Sequence, residues 1–161
     1  MEFDRSTGAV GIDINVDHIA LCETDRHGNC ILLKTIKMPL RGKNTNQRKH
    51  IIRNVVNEAV LESVRSNKPF VIESLDFKMK KSQMRYGNKK SNQILSEFAY
   101  RQITDCIKIR CIKEKVSIKE INPAYTSRIA EDKYMKTMGC SIHMAASYVI
   151  TRRGCGYTDI I

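Results

Sequence analysis

Asp13 and Glu73 each close a short apolar run, Ala9-Val10-Gly11-Ile12-Asp13 and Pro69-Phe70-Val71-Ile72-Glu73. A buried strand ending in a carboxylate holds that charge rigidly at the rim of a sheet. Two such strands side by side place two carboxylates where a divalent cation can bridge them. Oxygen ligands of this kind suit magnesium or manganese. The chemistry such a centre supports is metal-assisted cleavage of a phosphodiester.

The elements that must position these groups can be read along the chain. Residues 8–15, 18–23 and 30–38 read as three strands, and Asp25-Arg26-His27-Gly28-Asn29 supplies turn chemistry between the second and third. Tight turns make the three an antiparallel meander. Residues 39–46 are a polar, basic loop. A helix over 48–66 carries Ile51, Ile52, Val55, Val56, Ala59, Val60 and Val64 on one face. Asn67-Lys68-Pro69 stops it, and residues 70–73 form a fourth strand. Ser91 can cap a second helix whose apolar face holds Ile94, Leu95, Phe98, Ala99, Ile103, Cys106 and Ile107. A fifth strand spans 116–121 and ends at Asn122-Pro123. Residues 124–140 show no clear periodicity. Ser141 caps a last helix over 141–153, which Gly154 terminates.

The bulk properties agree with one domain over 1–161. The chain has 161 residues and 42% hydrophobic content, enough for a core. A net charge of +11 points to a polyanionic partner. DNA is the expected one, with RNA or an RNA–DNA hybrid as alternatives. Six cysteines include no C-x-x-C pair, so no zinc is expected. No signal peptide or membrane-length apolar run is present. The expected compartment is therefore the reducing cytoplasm, with no membrane association and no disulfides, and the cysteines acting as small hydrophobes.

Residues 78–90 stand apart. Six of these thirteen residues are basic and none is acidic, which reads as a mobile loop. Lys78, Lys80, Lys81, Arg85, Lys89 and Lys90 could lie along a phosphate backbone near Glu73, with Tyr86 stacking. The alternative is a solvated charged loop without a role. Tyr125, Thr126 and Ser127 either hydrogen-bond phosphates or shape a turn. His18, His27 and His50 show no ligand spacing and are assigned nothing.

The element order is strand-strand-strand-helix-strand-helix-strand-helix. It matches an α/β architecture, the ribonuclease H-like fold, with a five-stranded mixed sheet flanked by helices. That fold carries acidic ligands on its first strand, at the end of its fourth and on its final helix. Gly11-Ile12-Asp13, Val71-Ile72-Glu73-Ser74-Leu75 and Ile121-Asn122-Pro123-Ala124-Tyr125-Thr126-Ser127 resemble the RuvC-like nuclease domain of the transposon-encoded TnpB (OrfB) family. The resemblance implies a mobile-element endonuclease that uses two divalent cations, Mg2+ or Mn2+, and a guide RNA. Overlay of the family's last motif puts His143 of His143-Met144-Ala145-Ala146 at the third acidic position. The implied metal ligands and catalytic residues are Asp13, Glu73 and His143, with Asp13 bridging two metals.

Two departures stand out. Residues 128–139 hold no cysteine, so the family's zinc ribbon is missing. Met1 lies twelve residues before Asp13, so the family's N-terminal region is expected to be absent too. With a histidine in a carboxylate slot, two other readings stay open. One is a nucleic-acid-binding module whose site no longer cuts. The other is a junction resolvase, which would need a dimer and a branched substrate.

Overall fold

The computed structural model describes residues 3–74 and 95–159. Its five strands are β1 (Val10–Ile14), β2 (His18–Thr24), β3 (Cys30–Lys37), β4 (Phe70–Glu73) and β5 (Ile118–Ile121), forming one mixed sheet in the order β3-β2-β1-β4-β5. β1 and β2 pair antiparallel, as do β2 and β3, while β1–β4 and β4–β5 run parallel. Every residue of β1 and β4 is buried. Strands covered on both faces need apolar runs, and these two have them except at Asp13, one residue before the end of β1, and Glu73, the last residue of β4. The edge strand β3 is mostly half-buried or exposed.

One face of the sheet packs on α1 (Thr45–Ser66) and α2 (Glu97–Lys113). Val10, Ile12, Leu21, Phe70 and Ile72 meet Val56, Val60, Tyr100, Ile103 and Ile107 in the main core. α1 starts three residues before the expected position because Asn44 caps it. Asn44 and Gln47 exchange side-chain and backbone hydrogen bonds, both 2.9 Å, in a capping box. Asn67, left-handed at φ 56°, closes it. α2 departs further from expectation. Its cap is Ser96, which accepts from the Ala99 amide at 3.1 Å. Ser91 and Ile94 lie outside the described residues. Phe98 is 77% exposed and so leaves the expected apolar face.

The other face carries α5 (Ile142–Gly154), capped by Ser141, which accepts from the Met144 amide at 3.1 Å. Ahead of it, residues without periodicity form three short pieces. These are α3 (Thr126–Ile129), a π-helical turn (Ala130–Tyr134) and α4 (Met135–Met138). Changing helical pitch every four or five residues erases any repeat in the sequence. Ile129, Ala130, Ala145, Ala146 and Val149 form a small core between these pieces and α5.

Gly154 does not stop the last helix. It is the helix's final residue, and a side chain there would meet Val71. An ideal Cβ would sit 2.5 Å from Val71 Cγ2. All six cysteines are free thiols, and Cys22 and Cys30 touch across the β2–β3 hairpin at 3.7 Å. The Cys22 hydrogen bond pulls the Cys30 thiol down to about 7. No helix among the described residues is long and apolar enough to cross a membrane.

The chain's C-terminal segment is tied down by Asp159. Its carboxylate accepts from Tyr134 at 2.5 Å, from Arg152 Nε at 3.1 Å and from Lys133 at 3.2 Å. Burial alone would raise this carboxyl, but the hydrogen bonds from Tyr134, Arg152 and Lys133 hold it below its ordinary value.

Two outcomes are expected. Gly154→Ala should cost about 1–3 kcal/mol through overpacking, and adding Val71→Ala should recover part of that cost. Additive losses in a urea-melt double-mutant cycle would show that the two side chains do not collide. Asp159 stabilises the fold fully above the unfolded carboxyl value of about 4 and loses that contribution as pH falls through its lower folded value. Asp159→Asn should therefore melt lower at neutral pH and show a shallower acid limb. An unchanged acid limb would remove Asp159 from the acid response.

Candidate active site

Parallel pairing of β1 and β4 brings Asp13 and Glu73 to one rim of the sheet. Strand alternation then fixes the face. Gly11 and Val71, two residues before each carboxylate, meet Thr151 and Gly154 of α5. Asp13 and Glu73 therefore lie on the α5 face, and they are 4% and 2% exposed. Buried carboxylates require partners, and the described residues supply several.

His143 stands in the first turn of α5. Its Nδ1 lies 3.2 Å from Asp13 Oδ2, and its side chain is 45% exposed. The same oxygen accepts from Asn15 Nδ2 at 3.1 Å, and that amide also lies 3.2 Å from the Asp13 carbonyl. With Nδ1–H donated to the carboxylate, His143 keeps the Nε2 lone pair for a ligand.

His18 belongs to this cluster, although its position in the sequence shows no ligand spacing. Its ring meets that of His143 edge-on at 5.0 Å. Its Nδ1 lies 2.7 Å from Asp17 Oδ1, and its Nε2 lies 3.3 Å from Asn15 Nδ2. The ring hydrogen bond holds Asp17 below the ordinary carboxylate value. The signal was register. Asp13 pairs with Ala20 and Ile14 with Ile19, so the next residue, Asn15, faces His18 across the hairpin.

Glu73 is framed from two sides. Tyr100 of α2 donates its hydroxyl to the Glu73 carbonyl at 3.0 Å. Thr126 Oγ1 lies 3.5 Å from Glu73 Oε2 and 3.1 Å from the Pro123 carbonyl. Thr126 is thus buried with its hydroxyl toward Pro123 and Glu73, Ser127 is half-buried, and Tyr125 is exposed and left-handed at φ 63°. Arg153 holds this turn. Its Nη1 donates to the Asn122 and Ala124 carbonyls at 2.6 and 2.8 Å. Burial lowers the Arg153 guanidinium, and the charge of Glu73 acts against that lowering. Nothing in the sequence around Arg153 marks this role, because its two partner carbonyls lie 31 and 29 residues away.

Lys78, Lys80, Lys81, Arg85, Tyr86, Lys89 and Lys90 lie outside the described residues. Among those described, no three His, Cys, Asp or Glu side chains close to metal-binding distance. By donor type the two carboxylates suit a divalent cation and an imidazole nitrogen favours manganese over magnesium, while the Nδ1 contact with Asp13 turns His143 Nε2 away from that carboxylate.

Two solved structures of Thermus thermophilus RuvC superimpose on the chain. The first, in complex with a Holliday junction substrate, gives a TM-score of 0.57 at 11% identity, covering 89% of this chain and 90% of that one. The second gives 0.58 at 12% identity, covering 88% and 90%. The fold is ribonuclease H-like. No protein-family model and no curated protein sequence matches the chain.

Arg153→Gln should loosen the turn over 122–126 at a cost of about 1–3 kcal/mol, since two carbonyls lose a charged donor. Hydrogen exchange at the Thr126 amide should speed up by one to two orders of magnitude, as that cost implies. Unchanged exchange would mean that Arg153 does not hold the turn.

Proposed function

We propose that this chain is a divalent-metal-dependent endonuclease domain that hydrolyses phosphodiester bonds in DNA. The observation that carries the reading is the pairing of β1 with β4. It sets two buried carboxylates on one face and rim, with an imidazole 3.2 Å from one of them. Bound divalent cations would supply the Lewis acidity that lowers the pKa of an attacking water and stabilises the leaving oxygen.

The chain's own residues then have separable tasks. Asp13 and Glu73 would hold the cations, and His143 would offer Nε2, which its Nδ1 contact turns away from Asp13. Asn15 and His143 fix the Asp13 carboxylate from two directions, as outer partners of a metal ligand do. Thr126 and the turn gripped by Arg153 orient Glu73. Water is the nucleophile, so no serine or cysteine is required. The basic residues at 78–90 position the strand without reading sequence.

Two finer readings divide on substrate. The Asn122-Pro123-Ala124-Tyr125-Thr126-Ser127 string supports a TnpB-like, transposon-associated enzyme working with a guide RNA. The likeness to RuvC solved with a Holliday junction supports a resolvase acting on branched DNA.

Cleavage of labelled single-stranded, duplex and four-way-junction DNA in magnesium, manganese or EDTA tests all of this. Asp13→Asn should cut on the order of 10³-fold more slowly, matching several kcal/mol of lost charge stabilisation. It should still bind DNA. His143→Asp should raise magnesium-supported cutting relative to manganese. Persistent cutting by Asp13→Asn, or cutting in EDTA, would sink the proposal. Binding without cutting in any metal would leave a nucleic-acid-binding module. A junction preference would favour the resolvase reading.

A further inference from the structure

We infer that a second basic surface, made by Lys37, Arg41, Lys43, Arg48 and Lys49, binds the phosphate backbone of double-stranded DNA leading away from the carboxylate–histidine site. The inference rests on the nuclease reading for its choice of ligand and extends that site's substrate path. Residues 26–57 contain eight lysines and arginines and no acidic residue. Lys34 is neutralised by Glu62 at 3.4 Å. None of the five strip residues forms an ion pair with a described residue. Uncompensated like charges repel one another and disfavour the compact state, so a polyanion that screens them binds favourably.

Topology puts Lys37, the start of the strip, at the site, and the rest leads around the rim toward α1 on the other face. β1 ends, β2 begins and β3 ends at the same rim, because the three are antiparallel neighbours. Lys37 pairs with His18 in register, and directly paired residues share a face. Lys37 therefore stands on the face where His18 meets His143. The segment after it is pinned rather than loose. The Met38 amide donates to the Asp17 carbonyl at 2.8 Å, and Met38 and Leu40 are buried. A turn closed by the Lys43 amide on the Leu40 carbonyl at 3.3 Å uses Gly42 at φ 76°. Arg41 and Lys43 are exposed on either side of that glycine. The strip continues into α1, where Lys49 is exposed and Arg48 half-buried.

A nucleic acid suits this surface better than a membrane. Membrane-surface elements insert large apolar side chains beside their cations. The exposed large hydrophobic residues among those described are Ile31, Leu61, Val64, Phe98, Ile109, Ile112 and Tyr125, and none falls within 37–49.

The test is the salt dependence of binding to a labelled duplex in EDTA, read by fluorescence anisotropy, with cleavage assayed separately in manganese. The triple variant Arg41→Gln, Lys43→Gln, Lys49→Gln should lower the slope of log affinity against log salt by about 3 and weaken binding about a hundredfold near 0.1 M salt. Lys113→Gln with Lys115→Gln, on the opposite rim, should bind like the unaltered chain. Matching circular dichroism and melting would exclude misfolding. An unchanged slope in the triple variant would overturn the inference, as would an equal loss in the opposite-rim variant. So would binding to phosphatidylserine vesicles in place of DNA. Selective loss of binding in the triple variant, with no chain cutting in any metal, would defeat the nuclease reading and leave this surface standing. Cutting with unchanged binding would do the reverse.

Discussion

Two glycines let the last helix lie directly on the strands that bear the carboxylates. At Gly11 an ideal Cβ would sit 2.2 Å from Thr151 Oγ1, and at Gly154 one would sit 2.5 Å from Val71 Cγ2. Glycine inside a strand or helix weakens it and is tolerated where backbones must approach closely. Here the approach seats α5 on both β1 and β4. The first turn of that helix then reaches the rim, and His143 meets Asp13. A helix held farther out by a side chain at either position would carry its histidine away from the carboxylate.

The rim that results holds each carboxylate in a chain of contacts. Asp13 and Glu73 are nearly inaccessible, and they are held by the opposing demands of burial and charge. Around Asp13 stand Asn15 and His143, followed by His18 and Asp17, each hydrogen-bonded or in ring contact with the next. Around Glu73 stand Tyr100 and Thr126, with Arg153 gripping the turn that carries Thr126. The Asp13 carboxylate is therefore held by Asn15 and His143, and the most exposed member of its cluster is Asp17, whose side chain is 74% exposed.

Much of the architecture was legible in the chain. Unbroken apolar runs marked β1 and β4, because strands covered on both faces have no polar side. Helical spacing marked α1 and α5, and Ser141 marked the start of α5. The less accurate readings have physical causes. Capping overrode periodicity at α1, where Asn44 and Gln47 begin the helix ahead of its apolar stripe. Phe98 broke the expected face of α2. Residues 124–140 gave no repeat because a π-helical turn interrupts two four-residue α-helical pieces, shifting the phase of each.

At the site, the sequence by itself determined that two carboxylates end two buried strands and that the chain is strongly cationic. Both follow from residue type and local pattern. Only the tertiary structure decided the neighbours. Asn15 and His18 join Asp13 through hairpin register, which a one-residue slip would abolish. Arg153 reaches the carbonyls of Asn122 and Ala124 across 31 and 29 residues of chain, and His143 reaches Asp13 across 130. Contacts of that range depend on how closely one helix packs on a sheet, and no local pattern encodes that distance.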